Sequence, residues 1–159
     1  YLMAAYCRSR EPSRQIALIV IANDPIHCRQ NFTFADSVQP PDMQLIHFAS
    51  RLGQLPDWLH QEPLLLDQFL RVLAADLQVA DSISPSDTVP LEDIPLLAIY
   101  SREDPLLQEP PRRWQECTRY YFELAEISGG HFISECQGEQ IRKITLNFIH
   151  KYNLCRNDL

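Results

Sequence analysis

The chain has 159 residues, room for one domain. Hydrophobic residues at 45% and charged residues at 22% fit a packed globular protein and exclude disordered, collagen-like and coiled-coil compositions. With 14 Lys and Arg against 21 Asp and Glu the net charge is −7, and no cluster of basic residues offers a phosphate-binding face, so nucleic acid and anionic membranes are poor partners.

Tyr1-Leu2-Met3-Ala4-Ala5-Tyr6 reads as the inside of a helix, and with Tyr rather than Met at its start the sequence is expected to be a fragment lacking its beginning. No charged-then-apolar-then-small pattern marks a secretory signal there. Ile16 to Ala22 is continuously apolar and rich in β-branched residues, the pattern of a central strand buried on both faces of a parallel sheet. It is also the longest apolar run, far short of the about 20 residues a bilayer span needs, so no transmembrane helix is expected.

Residues 42–81 contain no strand pattern and read as a helical insertion between core segments 1–41 and 82–159. Met43, Ile46 and Phe48 to Leu52 make a first helix, Pro56-Asp57-Trp58 starts a short second, and Pro63 to Ala80 makes the longest. On the longest, Leu66, Phe69, Leu70, Leu73, Leu77 and Ala80 share one face. Such a block commonly forms a lid over a cleft. Residues 23–41 and 82–93, rich in Pro, Ser and Asp, read as flexible connections.

Ile94 to Tyr100 repeats the buried-strand pattern, with Pro95 near its start where a lost donor is tolerated. Arg112 to Tyr121 supplies a crossover helix, and Phe122 to Ile127 a shorter, alternating strand nearer the sheet edge. Ile141, Ile144, Phe148 and Tyr152 recur at helical spacing, so a final helix packs on the sheet. Trp58 and Trp114 are expected as packing anchors.

Chemistry concentrates at two strand ends. Of only four glycines, Gly129 and Gly130 directly precede His131, beyond the carboxyl end of the third strand, where open parallel sheets gather their ligands. An imidazole, with an unperturbed pKa of about 6.5, takes up and returns protons at neutral pH once an acceptor fixes its tautomer. Ser101-Arg102-Glu103-Asp104-Pro105 follows the second strand, and Asp104 is that candidate acceptor. Either residue alone has an ordinary structural reading: Asp104 as a turn former before Pro105, His131 as a loop residue leading a helix. Together, at adjacent strand ends, they form a candidate catalytic pair.

The run Pro95 to Asp104, then Trp114, then Gly129-Gly130-His131-Phe132 resembles the carboxyl half of the type II thioesterases of nonribosomal peptide and polyketide synthases, which are α/β-hydrolases. Leu55-Pro56 and Leu73-Ala74-Ala75-Asp76-Leu77 resemble elements of that family's helical lid, so the similarity covers residues 1 to 150 loosely. The resemblance implies a partial α/β-hydrolase fold: a parallel sheet with flanking helices and a helical lid insertion. It implies that Asp104 and His131 are the acid and base of a Ser-Asp-His triad, which occurs in that chain order in this superfamily. The implied substrates are acyl or aminoacyl groups on the phosphopantetheine of a carrier protein, with no cofactor.

The sequence departs from the family at three places. Ser101 stands where a glycine is expected three residues before the acid, and Ala74 where the lid motif has Arg. No G-x-S-x-G nucleophile elbow occurs, and Ser50 and Ser134 lack the strand-to-helix turn that exposes a catalytic hydroxyl. In the family the elbow lies just before a helix resembling Tyr1 to Cys7, so the break falls next to the expected serine, and the oxyanion hole goes with it.

The five cysteines (Cys7, Cys28, Cys117, Cys136, Cys155) are odd in number and widely spaced without C-x-x-C, which fits inert thiols in a reducing cytoplasm. His27, His47, His60 and His150 lack metal-site spacing and read as surface or capping residues. Arg112 and Arg113 are the local basic spot at which an acidic carrier would dock. Two alternatives stand beside the thioesterase reading: another α/β-hydrolase such as a lipase or esterase, and a non-catalytic module that binds a carrier protein or synthase.

Overall fold

A computed structural model describes residues 1–28, 41–51, 55–84, 88–131 and 135–152. Expectations for Phe132, Ser134, Cys155 and much of the first connection lie outside the described residues. The elements are helix α1 (Leu2–Arg10), strand β1 (Leu18–Ile21), helices α2 (Pro41–Arg51) and α3 (Pro63–Asp81), strands β2 (Leu96–Ser101) and β3 (Phe122–Ile127), and helix α4 (Glu135–Lys151). Short 3₁₀ segments lie at Ile26–Cys28, Asp57–Gln61 and Pro111–Cys117.

The strands form one parallel three-stranded sheet in the order β1-β2-β3. The apolar run Ile16 to Ala22 supplies strand β1. Among the described residues β1 pairs only with β2, and its four positions are all half-buried. The centre is β2, where Leu96, Leu97, Ala98 and Ile99 are each at most 2% exposed. A continuous apolar run reports that both faces are covered, not that both edges are paired. Strand β3 lies beside β2 at the position expected for its alternating sequence.

Period-2 alternation divides the sheet between two layers. One face, with Leu18, Val20, Leu96, Ala98 and Phe122, packs against Trp114, Cys117 and Tyr1. The other, with Ile19, Ile21, Leu97, Ile99, Ala125 and Ile127, packs against Ile141, Ile144, Phe148 and Tyr152 of α4. The β2-to-β3 crossover is a 3₁₀ segment rather than the expected α-helix. Pro110 and Pro111 open it, and its buried contacts come from Trp114 and Cys117, three residues apart, which eclipse on a threefold screw. Thr118 ends it, its hydroxyl 2.9 Å from the Ile94 carbonyl and 3.2 Å from that of Leu91, which fastens the start of β3 to the entrance of β2.

The described residues of 41–81 hold α2, the 3₁₀ turn Asp57–Gln61 and α3, and those between these elements are non-helical. On α3, Leu70 is buried and Leu66, Phe69, Leu73, Leu77 and Ala80 are half-buried, the face expected from periodicity. Trp58 is corrected: it is 57% exposed, and Leu59 is the buried residue of its turn. Among the described residues no helix is long and apolar enough to cross a membrane.

Phe148 is 1% exposed at the centre of the α4 interface, so Phe148→Ala should cost about 3–5 kcal/mol, read as a lower denaturation midpoint at unchanged slope. At the end of α4, burial disfavours the Glu123 carboxylate, but hydrogen bonds from Lys151 (2.6 Å) and Tyr152 (2.8 Å) outweigh it, and the group titrates below its usual 4.5. A depressed carboxylate pKa contributes stability that is present above about pH 4.5 and lost as pH falls through the folded-state value. Glu123→Gln should therefore flatten the decline of melting temperature below that pH, measured by thermal scans across the acid range.

Candidate active site

Parallel register brings the two chemically richest loops together. Ser101, the last residue of β2, is opposite Ile127, the last of β3, so the loops that follow leave the same end of the sheet side by side. In the first, the Asp104 amide donates to the Ser101 carbonyl (3.3 Å) in a tight turn. In the second, Gly129 takes φ +102°, a left-handed conformation that an L side chain resists, and a Cβ there would collide with the Gln137 amide.

The result is an Asp104–His131 pair with Oδ2 to Nδ1 at 2.9 Å. The Asp104 side chain has no exposed surface and that of His131 is 22% exposed. The other carboxylate oxygen, Oδ1, accepts the Leu106 amide at 2.9 Å, the Asx turn expected ahead of Pro105. Turn former and acceptor are thus one role, with each oxygen doing a different part. An ionised Asp104 accepts the Nδ1 proton, which leaves the basic lone pair of the neutral ring at Nε2.

A third loop supports these two. Ala22, at φ 51°, turns the chain sharply after β1. Beyond it the Asn23 carbonyl accepts the Trp114 indole N–H (2.8 Å), so Trp114 is an anchor with a satisfied polar edge. Asp24 accepts the amides of Gln108 (3.1 Å) and Glu109 (3.3 Å) and steadies the far side of the acid loop; burial raises its pKa against the lowering effect of those bonds. From the helical block, the Arg51 guanidinium reaches the Pro105 carbonyl at 3.4 Å, one residue beyond Asp104.

Sequence reasoning missed a second cluster. His27 was expected as a surface residue, but its ring lies between Cys117 (Nδ1 to Sγ 3.4 Å) and Glu116 (Nε2 to Oε2 2.9 Å). Arg113 is engaged by Glu116 and Glu109, each 3.0 Å away, which raises its pKa and removes it from the proposed basic spot; Arg112 remains exposed there. The order Cys-His-Glu mimics a nucleophilic triad, but burial pushes the Cys117 thiol up to about 11 and it is 2% exposed, so it is a packed thiol rather than a nucleophile. Cys117 should resist iodoacetamide at pH 7.5 in the folded protein and react once denaturant is added, as read by mass spectrometry of its peptide. No local sequence pattern links His27 to Cys117, since only the packing of the crossover brings them together. Among the described residues no cluster of three or more His, Cys, Asp or Glu is placed to hold a metal ion.

No family model and no curated protein matches the sequence. Solved structures do match the fold. The chain superposes on human thioesterase 2 with a TM-score of 0.69 at 15% identity, covering 98% of this chain and 69% of that one. It superposes on RedJ, a thioesterase from the prodiginine biosynthetic pathway in Streptomyces coelicolor, with a TM-score of 0.69 at 24% identity over 89% of this chain and 56% of that one. It superposes on YbtT, a type II thioesterase from the yersiniabactin NRPS/PKS biosynthetic pathway, with a TM-score of 0.64 at 18% identity over 92% of this chain and 57% of that one. The chain thus shares its fold with these proteins and spans little more than half the length of the latter two.

Proposed function

We propose that this chain carries the acid and base of a type II thioesterase-like hydrolase that removes acyl or aminoacyl groups from the phosphopantetheine of a carrier protein. The observation that supports it most is the 2.9 Å contact between the buried Asp104 and His131 at neighbouring parallel strand ends, in a fold shared with thioesterases.

The chemistry follows from the tautomer. Nε2 of His131 takes the proton of a serine hydroxyl as its oxygen attacks the thioester carbonyl, and Asp104 stabilises the imidazolium that forms. Collapse of the tetrahedral oxyanion breaks the carbon–sulfur bond, and the imidazolium returns its proton to the departing thiolate. Water, deprotonated in turn by Nε2, cleaves the acyl-serine, and the serine oxygen recovers the proton. The 159 residues contain no G-x-S-x-G, so on this reading the serine and its oxyanion hole come from outside them.

The helical block 42–81 would serve as lid, coupled to the acid loop through Arg51 and Pro105. The reaction uses no cofactor. Cys7, Cys28 and Cys117 are free thiols, which supports a reducing compartment such as the cytoplasm.

The test is to read the coding sequence preceding Tyr1 for G-x-S-x-G and to assay the product of the complete reading frame on acyl-carrier thioesters. His131→Ala should lower kcat by about 10⁴-fold or more, and Asp104→Asn by a similar factor, because the amide holds the wrong tautomer. Turnover unchanged in His131→Ala overturns the assignment. Faster hydrolysis of simple esters than of carrier-bound acyl groups would favour a lipase or esterase, and absence of any elbow would favour a binding module.

A further inference from the structure

The geometry points to Ser101 and Gln137 as positioning residues that set the distance between Asp104 and His131; this rests on the hydrolase reading above. Two consecutive carbonyls ahead of His131 are each held by a side chain from a different element. The Gln137 amide, near the start of α4, donates to the Ser128 carbonyl at 2.6 Å. The Ser101 hydroxyl, at the end of β2, donates to the Gly129 carbonyl. Both residues are buried, Ser101 at 3% exposure and Gln137 at 6%.

Ser101 acts in two directions. While its hydroxyl hydrogen goes to the loop that carries the base, its oxygen accepts the Glu103 amide at 3.1 Å in the loop that carries the acid. Its carbonyl also accepts the Asp104 amide. One side chain therefore spans the acid loop and the base loop, through bonds shielded from water. The left-handed turn at Gly129 completes the arrangement, because it presents the carbonyl to Ser101 while the backbone rests against the Gln137 amide that holds the preceding residue.

The functional argument is one of tolerance. Catalytic groups must be held within about 0.5 Å of their productive placement, and a displacement of about 1 Å costs on the order of 100-fold in rate. Asp104 is covalently three residues from Ser101, and His131 two residues from Gly129, so the hydrogen bond between Ser101 and Gly129 ties the two loops together close to both members of the pair. The sequence shows Ser101 only as a departure from the glycine of the resembled family; in this fold its hydroxyl has specific partners.

Ser101→Ala keeps volume and burial but deletes the donor and acceptor. In the product of the complete reading frame, kcat for the acyl-carrier thioester should fall by about 10- to 100-fold with KM within about twofold. Ser101→Thr, which retains the hydroxyl, should restore most of the rate. Gln137→Glu, of the same shape but without the amide donor, should give a loss of the same kind and serves if the alanine variant does not fold. A second readout needs no turnover: the downfield proton resonance of the Asp104-bound His131 Nδ1–H should broaden or disappear in Ser101→Ala and Gln137→Glu and return in Ser101→Thr. Wild-type rate and an unchanged resonance in folded Ser101→Ala and Gln137→Glu overturn the proposal, and an equal loss in Ser101→Thr does so too. Full activity of His131→Ala would instead overturn the hydrolase reading, while the resonance would still decide whether Ser101 and Gln137 hold the ring.

Discussion

The parallel register between β2 and β3 is the constraint on which the rest depends. Because Leu96 is opposite Phe122 and Ser101 opposite Ile127, the two strands end level with each other, and their following loops emerge at one edge. A shift of one residue would exchange the faces of β3, moving Ile127 from the α4 side to the other layer and separating Asp104 from His131. The register is fixed by burial: Leu97, Ile99, Ile127 and Phe148 interlock on one face, and Leu96, Ala98, Trp114 and Cys117 on the other. The core therefore does more than stabilise; it aligns the two loops.

Much of this was legible in the sequence because apolar periodicity is a local signal. The strand at Phe122–Ile127, the α4 stripe and the half-buried face of α3 all follow from spacing alone. The Asp104–His131 encounter was legible because parallel strands with a short crossover leave few arrangements for their ends. What escaped was whatever depends on the identity of a distant neighbour. The half-buried ring of His27 meets Cys117, a residue 90 positions away that the 3₁₀ crossover carries there. Trp58 was misplaced because an aromatic in a helical segment does not reveal which side of it is covered, and its neighbour Leu59 takes the interior position.

The site also shows how a hydroxyl can be read in two ways. By comparison with a family pattern, Ser101 is an exception; by its contacts, it is a bridge between loops. The same holds for Asp104, whose turn-forming and acceptor roles divide between its two oxygens. Short polar side chains at strand ends serve local folding and distant geometry at once, so neither role can be inferred from residue type alone.

The two glycines ahead of His131 are chemically unlike. At Gly129 any side chain is opposed by both the backbone conformation and the Gln137 amide, whereas at Gly130 the space a Cβ would occupy has no atom within 4 Å. Gly130 is therefore a natural attachment point for a fluorescent or paramagnetic label: a cysteine there would carry a reporter next to the imidazole, while the left-handed glycine beside it stays untouched.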